Sequence, residues 1–316
     1  MLTVYPTSDR ERGRLKDAVW IDLLSPTSEE IEEVVLVTGL RVPTREEVSA
    51  IEASSRLQRV GQALYLSTSL MTLTEQPHLS PVGFVLTGER LVTVRFDHFG
   101  AFETAAEHAE EDGTITSLGV FTCVFESIVD RIADGLEYSA TELDQVSRGI
   151  FHHKRRRRGT ARADLYQRQM LVTVGRIGER LSQVRDVLLG VGRIVPFVLE
   201  LNRDGADVPQ DIVNRMKAVK QDIASLNDYE AHLANKVQFL LDAVLGFITI
   251  AQNDLFKVMT VWSIVGIPPT LMAGVWGMNF KNMPELMLNW GYPVGLIVIV
   301  LSGLIPLGWF KWKGWL

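Results

Sequence analysis

Two apolar blocks close the chain. Val258–Val275 and Tyr292–Phe310 contain no charged residue, and each approaches the roughly 20 residues that carry a helix across a hydrocarbon core of about 30 Å. The link between them, Trp276–Gly291, holds only Lys281 and Glu285 as charges, while Lys257, Lys311 and Lys313 flank the opposite ends. Basic residues on one side of both blocks predict that both termini lie in the cytosol. Trp276, Trp290, Tyr292, Trp309, Trp312 and Trp315 gather where the blocks end, as aromatic rings do at a membrane–water interface. Either block alone would also suit a buried core helix; two in succession at the end of the chain favour membrane spans.

Ahead of these blocks the periodicity changes twice. Residues 1 to 118 alternate strand and helix signals, and Leu2–Tyr5, Ala18–Leu24, Ala63–Leu73, Gly83–Thr87 and Arg90–Phe96 are predicted strands. Ser25-Pro26-Thr27-Ser28-Glu29-Glu30 is predicted to open a helix, with Ser25 as cap, Pro26 in the first turn and Gly39 as the stop. Thr44-Arg45-Glu46-Glu47 has the spacing of a capping box. From 119 to 257 the period lengthens. Met170, Val174, Ile177, Leu181, Val184, Leu188, Val191, Val195 and Val198 recur at alternating steps of four and three, as do Ile212, Met216, Val219, Ile223 and Leu226. After Glu230 the second stripe resumes with Leu233, Val237, Leu240, Val244 and Phe247. Such a seam is core packing between long neighbouring helices. Because no proline lies between Pro209 and Pro268, this helix is predicted to run into the first apolar block as a rod of roughly 100 Å, at 1.5 Å per residue.

The fold class expected is therefore an α+β membrane protein. A cytosolic α/β domain covers 1–118 and a stalk of long helices covers 119–257. Transmembrane helices follow at 258–275 and 292–310, joined by an extracytosolic loop at 276–291, with a basic tail at 311–316. A mean hydropathy of +0.11 in a chain with 22% charged residues fits this partition. The N-terminus, Met1-Leu2-Thr3-Val4-Tyr5-Pro6, has no basic segment followed by an apolar one, and is read as lacking a signal peptide. The net charge of −6 argues against nucleic acid as a partner. Cys123 is the sole cysteine, set in an apolar run, and reads as a buried small hydrophobe. No nucleophile–base set or phosphate loop is present, so an enzyme is not expected. The run His152-His153-Lys154-Arg155-Arg156-Arg157-Arg158 reads as a solvated hairpin tip, with contact to lipid headgroups or nucleic acid as the other readings.

The chemistry sits where the first block ends. Trp276-Gly277-Met278-Asn279-Phe280 is followed by Met283-Pro284-Glu285-Leu286. On the helix leading there, Asn253, Phe256, Thr260, Ser263, Ile267 and Thr270 share one face at 100° per residue. This face holds every hydroxyl between Val258 and Val275. Gly277 is expected to leave the helix at positive φ. Two spans enclose no pore, so conduction would need several copies around one axis.

Gly277-Met278-Asn279 between two terminal spans, with the Met-Pro-Glu-Leu loop behind it, resembles the CorA magnesium-transporter family. Asp242-Ala243-Val244-Leu245-Gly246-Phe247-Ile248, Gln252-Asn253, Pro268-Pro269-Thr270, Trp290-Gly291-Tyr292-Pro293 and Lys311-Trp312-Lys313-Gly314-Trp315-Leu316 resemble it too. Pro43-Thr44-Arg45-Glu46-Glu47 and Ser54-Ser55-Arg56-Leu57 are weaker matches. The resemblance implies a homo-oligomer, a pentamer, in the bacterial inner membrane and in contact with its lipid. It would pass divalent cations, Mg²⁺ first, with Co²⁺ and Ni²⁺ as further permeants. Mg²⁺ would be both cargo and regulator, with no other cofactor. Gly277, Met278 and Asn279 would form the selectivity ring, Asn253 would line the cytosolic pore end, and Phe256, Met259 and Ile267 would be apolar constrictions. Mg²⁺ parts reluctantly with its water, and a ring of neutral amide oxygens can hold the hydrated ion through that water. Trp276 stands where the family usually has tyrosine. Lys281 puts a positive charge near the outer mouth that Glu285 offsets. Asp222 and Asp228 are stalk candidates for a regulatory Mg²⁺ site, a chemistry shared with many surface carboxylates. A zinc transporter of the ZntB branch and a membrane-anchored sensor are the other readings.

Overall fold

The computed structural model describes residues 1–5, 15–50, 52, 56–72, 77–111, 116–152, 160–201, 209–278 and 289–315. They form two compact units, Met1–Leu241 and Asp242–Leu316.

The first unit is built on a six-stranded sheet: β1 (Leu2–Tyr5), β2 (Trp20–Leu24), β3 (Leu57–Val60), β4 (Ala63–Met71), β5 (Leu79–Leu86) and β6 (Leu91–Arg95). The spatial order is β1-β2-β6-β5-β4-β3. Among the described residues only the β2–β6 pair is parallel. Across it Arg95 donates from Nε and Nη2 to the Asp22 carboxylate, which also accepts from Thr93 Oγ1 at 2.6 Å. These buried charges are matched within the sheet, as burial demands.

The sheet corrects two sequence expectations. β3 was not expected, since Leu57-Gln58-Arg59-Val60 is short and half polar. It forms because Gly61, at φ 62°, starts a two-residue turn that returns the chain onto β4. The strand expected from Gly83 begins instead at Leu79 and contains Pro81. Pairing of β5 with β6 starts only at Val82, so Pro81 sits where β5 has a single neighbour and its missing N–H costs no ladder bond.

Helix α1 (Ser28–Thr38) is capped by Thr27 and not by Ser25, and Pro26 precedes the helix. Thr27 and Glu30 form a reciprocal capping box. The Thr27 backbone bond and the N-terminal amine hold the Glu30 carboxyl below its ordinary value. Gly39 ends the helix at φ 69°. The Thr44–Glu47 box caps α2 (Arg45–Val48), a single turn.

One sheet face packs on α1 through Ile21, Leu23, Val85, Val92 and Val94 around Val34. The other face carries the larger core. There Phe84 meets Phe102 of α3 (Gly100–Glu111) and both Phe121 and Phe125 of α4 (Ser117–His152). The same core continues along α5 (Thr160–Leu201) and the first part of α6 (Gln210–Trp276). Val174, Ile177, Leu181, Val184, Leu188, Val191, Val195 and Val198 are buried, as are Ile212, Met216, Val219, Ile223, Leu233, Val237, Leu240 and Val244. The heptad stripes thus mark the buried seams.

Glu230 does not interrupt its stripe; it lies in it, 2% exposed, and accepts from Arg185 Nε at 2.9 Å. Arg215 of α6 donates to Glu126 of α4 at 2.6 Å and to the sulfur of Cys123 at 3.1 Å. Glu126 therefore holds the Arg215 guanidinium above its ordinary pKa. Cys123 is buried as expected, with this hydrogen bond in addition. Ser54, Ser55 and the run His153–Arg158 lie outside the described residues.

Candidate functional site

The second unit contains the end of α6 and α7 (Gly291–Trp312). Both helices are long and apolar enough to cross a membrane. Pro268 and Pro269 lie inside α6, which nonetheless continues to Trp276. Their missing N–H groups release carbonyls one turn earlier. At that level α7 presents Gly303, where an added Cβ would come within 3.3 Å of the Pro269 ring and 3.4 Å of the Val265 carbonyl oxygen. Glycine therefore permits the close approach of the two helices. Trp276 packs its ring beside Gly295, with 3.4 Å to an added Cβ. Trp290, Tyr292 and Trp312 are exposed at the ends of α7, and Lys313 Nζ lies 4.5 Å from the centre of the Trp309 ring.

The predicted pore face is uncovered. Asn253, Phe256, Thr260, Ser263, Ile267 and Thr270 lie on one strip of α6, with Met259 at its border. All six are exposed in the protomer, as is Met259. Each hydroxyl donates its proton to its own helix: Thr260 Oγ1 to the Phe256 carbonyl at 2.7 Å, Ser263 Oγ to Met259 at 3.0 Å and Thr270 Oγ1 to Gly266 at 2.8 Å. With the donor used, each oxygen offers lone pairs outward. The strip therefore presents acceptors and apolar side chains, and no charge between Val258 and Val275. A groove beside it runs over Trp262, Gly266, Thr270, Leu271 and Gly274.

Gly277 departs from expectation. It is not at positive φ; its N–H donates to the Ala273 carbonyl at 2.9 Å, closing a last helical turn. A Cβ there would come within 3.1 Å of that same oxygen, so glycine is suited by crowding against the preceding turn. Met278 follows, half exposed. Asn279, Lys281 and Glu285 lie outside the described residues.

The two regulatory candidates separate. Asp222 is one of the neighbours of Asp130 on α4, whose carboxyl is held above its ordinary value by burial first and then by the charges of Glu126, Asp134 and Asp222. Asp228 is simply exposed on α6. Among the described residues no group of three or more acids, histidines or cysteines is arranged to hold a metal ion. Sequence reasoning missed the Arg215–Glu126 and Arg185–Glu230 ties. Only the second left a signal, a carboxylate at a seam position.

Comparison with known proteins bears on this geometry. The family model described as CorA-like Mg²⁺ transporter protein matches residues 16–312. Magnesium transport protein CorA of Salmonella typhimurium is 33% identical over 312 residues, 97% of this chain and 94% of that protein. The complete structure of the CorA magnesium transporter from Methanocaldococcus jannaschii is similar in fold, with a TM-score of 0.72 at 16% identity, over 94% of this chain and 91% of that one. The ZntB cytoplasmic domain from Vibrio parahaemolyticus is similar at a TM-score of 0.56 and 11% identity, over 73% of this chain and 87% of that one.

Proposed function

Because the chain belongs to the CorA-like Mg²⁺ transporter family, we propose that it is the subunit of a homo-oligomeric channel, pentameric by resemblance, that passes hydrated Mg²⁺ across the bacterial inner membrane. Co²⁺ and Ni²⁺ are further permeants in this reading. The observation that carries it is the acceptor strip of α6. Three hydroxyls on one face give their protons to the helix and turn lone pairs outward. Water bound to a cation points its hydrogens away from the ion, so its outer surface donates hydrogen bonds. A wall of acceptors suits that surface without replacing the inner water shell, which Mg²⁺ releases reluctantly.

The absence of charge along Val258–Val275 supports the same reading. A carboxylate there would favour a dehydrated ion or a proton relay. Phe256, Met259 and Ile267 would narrow the path, and apolar constrictions gate by excluding water. The groove over Gly266 and Gly274 gives a neighbouring copy room for close helix packing. Gly277, Met278 and Asn279 would complete the outer mouth, with Lys281 and Glu285 setting its charge.

Regulation follows from the continuity of α6 between a stalk seam and the pore face. Cytosolic Mg²⁺ bridging carboxylates of adjacent copies, Asp222 first among them and Asp228 as the other candidate, would add binding free energy to the closed state only. The flanking lysines support a cytosolic position for both termini, and a reporter at the C-terminus tests it.

The deciding experiment is ion flux into liposomes carrying the purified protein. Mg²⁺ entry without a pH gradient, weakened by millimolar internal Mg²⁺, is the expected result. Zn²⁺ entry that requires a pH gradient, with Mg²⁺ excluded, would assign the zinc branch instead.

A further inference from the structure

A second feature of the first unit bears no relation to ion passage. Between the end of β4, the start of α3 and the facing sides of α4 and α5 lies a cavity of about 70 Å³. Its interior is apolar, formed by Leu70, Phe99, Ile128, Ile132, Val184 and Val187, all of them buried. Two exposed residues, His98 and Arg131, also line it and so stand on its solvent side.

The two differ. His98 Nε2 meets Glu103 Oε1 at 2.6 Å, so its ring nitrogen has a partner. Arg131 has none: among the described residues its guanidinium makes no ion pair and no hydrogen bond. It rests against Gly100, its Nη2 within 2.8 Å of the place a Cβ would take. An arginine with all its donors unused, at the edge of an apolar cavity, combines the two halves of an amphipathic site. The guanidinium fork matches a carboxylate in two parallel hydrogen bonds. The empty apolar space gains dispersion contacts when a tail fills it.

We propose that this cavity binds a small monocarboxylate with a short apolar tail, the tail among Phe99, Ile128 and Val184 and the carboxylate on Arg131. The enclosed volume suits a few carbons and not a long acyl chain. Asp130 and Asp134 neighbour Arg131 on α4, and Glu103 stands on the His98 side. Their charges disfavour a second anionic group, so a dicarboxylate or a phosphate monoester should bind more weakly.

Gly135 supplies a clean test. It lines the cavity, and a Cβ added there meets nothing within 4 Å, so the side chain of Gly135→Val starts in open space and takes up part of the cavity. The experiment is titration of the full-length protein in lipid nanodiscs with hexanoate, hexan-1-ol, acetate and succinate, followed by saturation-transfer NMR. Hexanoate should bind saturably, and the other three about tenfold more weakly or worse, a loss near 1.4 kcal/mol. Arg131→Gln should erase the preference for hexanoate over hexan-1-ol. Gly135→Val should weaken hexanoate at least about tenfold at an unchanged melting temperature. Should Arg131→Gln melt early, Gly135→Val decides alone. Absence of saturable hexanoate binding to the wild type overturns the proposal. So does unweakened binding in Gly135→Val, or equal affinity for hexanoate and hexan-1-ol.

Discussion

One helix obeys two opposite rules. Up to Val244, α6 hides its seam residues: Val219 and Ile223 are each 3% exposed and Leu240 is fully buried. Beyond Val244 the same helix leaves most of its apolar residues uncovered, with Met259 at 65%, Ile267 at 62% and Trp262 at 75%. The first stretch finds its partners within the chain, in α4 and α5. Among the described residues the second finds one neighbour, α7, and leaves the rest of its apolar surface bare. In water an apolar surface of that extent would drive association. A hydrocarbon core is a surrounding in which such a surface is stable, and in the proposed channel further copies of the chain would cover part of it. The seam teaches what holds the protomer together, and the bare face teaches what the protomer is made to meet.

The sharpest way to break this comparison is to damage each stretch and ask whether folding or transport fails. Asn279→Ala should abolish Mg²⁺ flux into liposomes while the oligomer still assembles, as size-exclusion chromatography would report. Flux at the wild-type level from an assembled variant would remove Asn279 from the selectivity role. Lys281→Glu, nearby in sequence, should preserve or raise flux by concentrating cations at the mouth, an effect that fades as salt shortens the Debye length. Leu240→Ala makes the opposite damage. It opens a cavity in a fully buried seam and should cost about 2–5 kcal/mol of stability, measured by denaturant unfolding of the first unit. Ile267→Ala removes a side chain that has no such enclosure, and should change conductance with little effect on that transition.

The contrast also explains what could be read from the sequence. Strand β4, both long seams and the two apolar helices announce themselves through periods of two, three-and-four, and unbroken hydrophobicity. Such patterns are properties of single elements facing one environment. β3 gave no such signal, because Leu57–Val60 is an edge strand fixed by the Gly61 turn and by β4. Pro81 misled for a related reason: whether proline is tolerated depends on where β6 stops, a fact of pairing. Ser25 lost the cap to Thr27 by position alone, two candidates lying within one turn. Of the predicted pore face, the spacing of Thr260, Ser263 and Thr270 was legible, whereas the use of each hydroxyl proton by the helix was not. The Gly277 expectation failed because glycine serves tight contact as well as positive φ.

Glu230 sharpens the comparison from inside the seam. It is a buried carboxylate on the helix that otherwise buries only apolar side chains there, and Arg185 matches it from α5. Removing Arg185 with alanine strands the charge, which should cost about 1–3 kcal/mol. Glu230→Leu instead restores the stripe, frees a half-exposed arginine to solvent, and should leave stability unchanged or raise it. Chemical denaturation of the three proteins separates these outcomes. Equal losses in both variants would mean the pair contributes net stability and not only register.

The smallest effect expected is at Asp130, and pH gives it a sign. Burial first, then Glu126, Asp134 and Asp222, hold its carboxyl above the ordinary 3.8, with His108 opposing them. A carboxyl raised on folding disfavours the ionised native state. That penalty is absent below the ordinary value, where both states are protonated; it grows as pH rises through the raised value and is complete above it. Asp130→Asn should therefore raise the melting temperature slightly at pH 7, and the gain should disappear below pH 3.8. Asp222→Asn removes one of the charges responsible, so the benefit of Asp130→Asn should shrink in that background. Interaction of this kind between two sites is what a double-mutant cycle reads. An unchanged benefit would show that Asp222 is electrostatically apart from the α4 acids, and would take from it the negative field that makes it the first candidate for regulatory Mg²⁺.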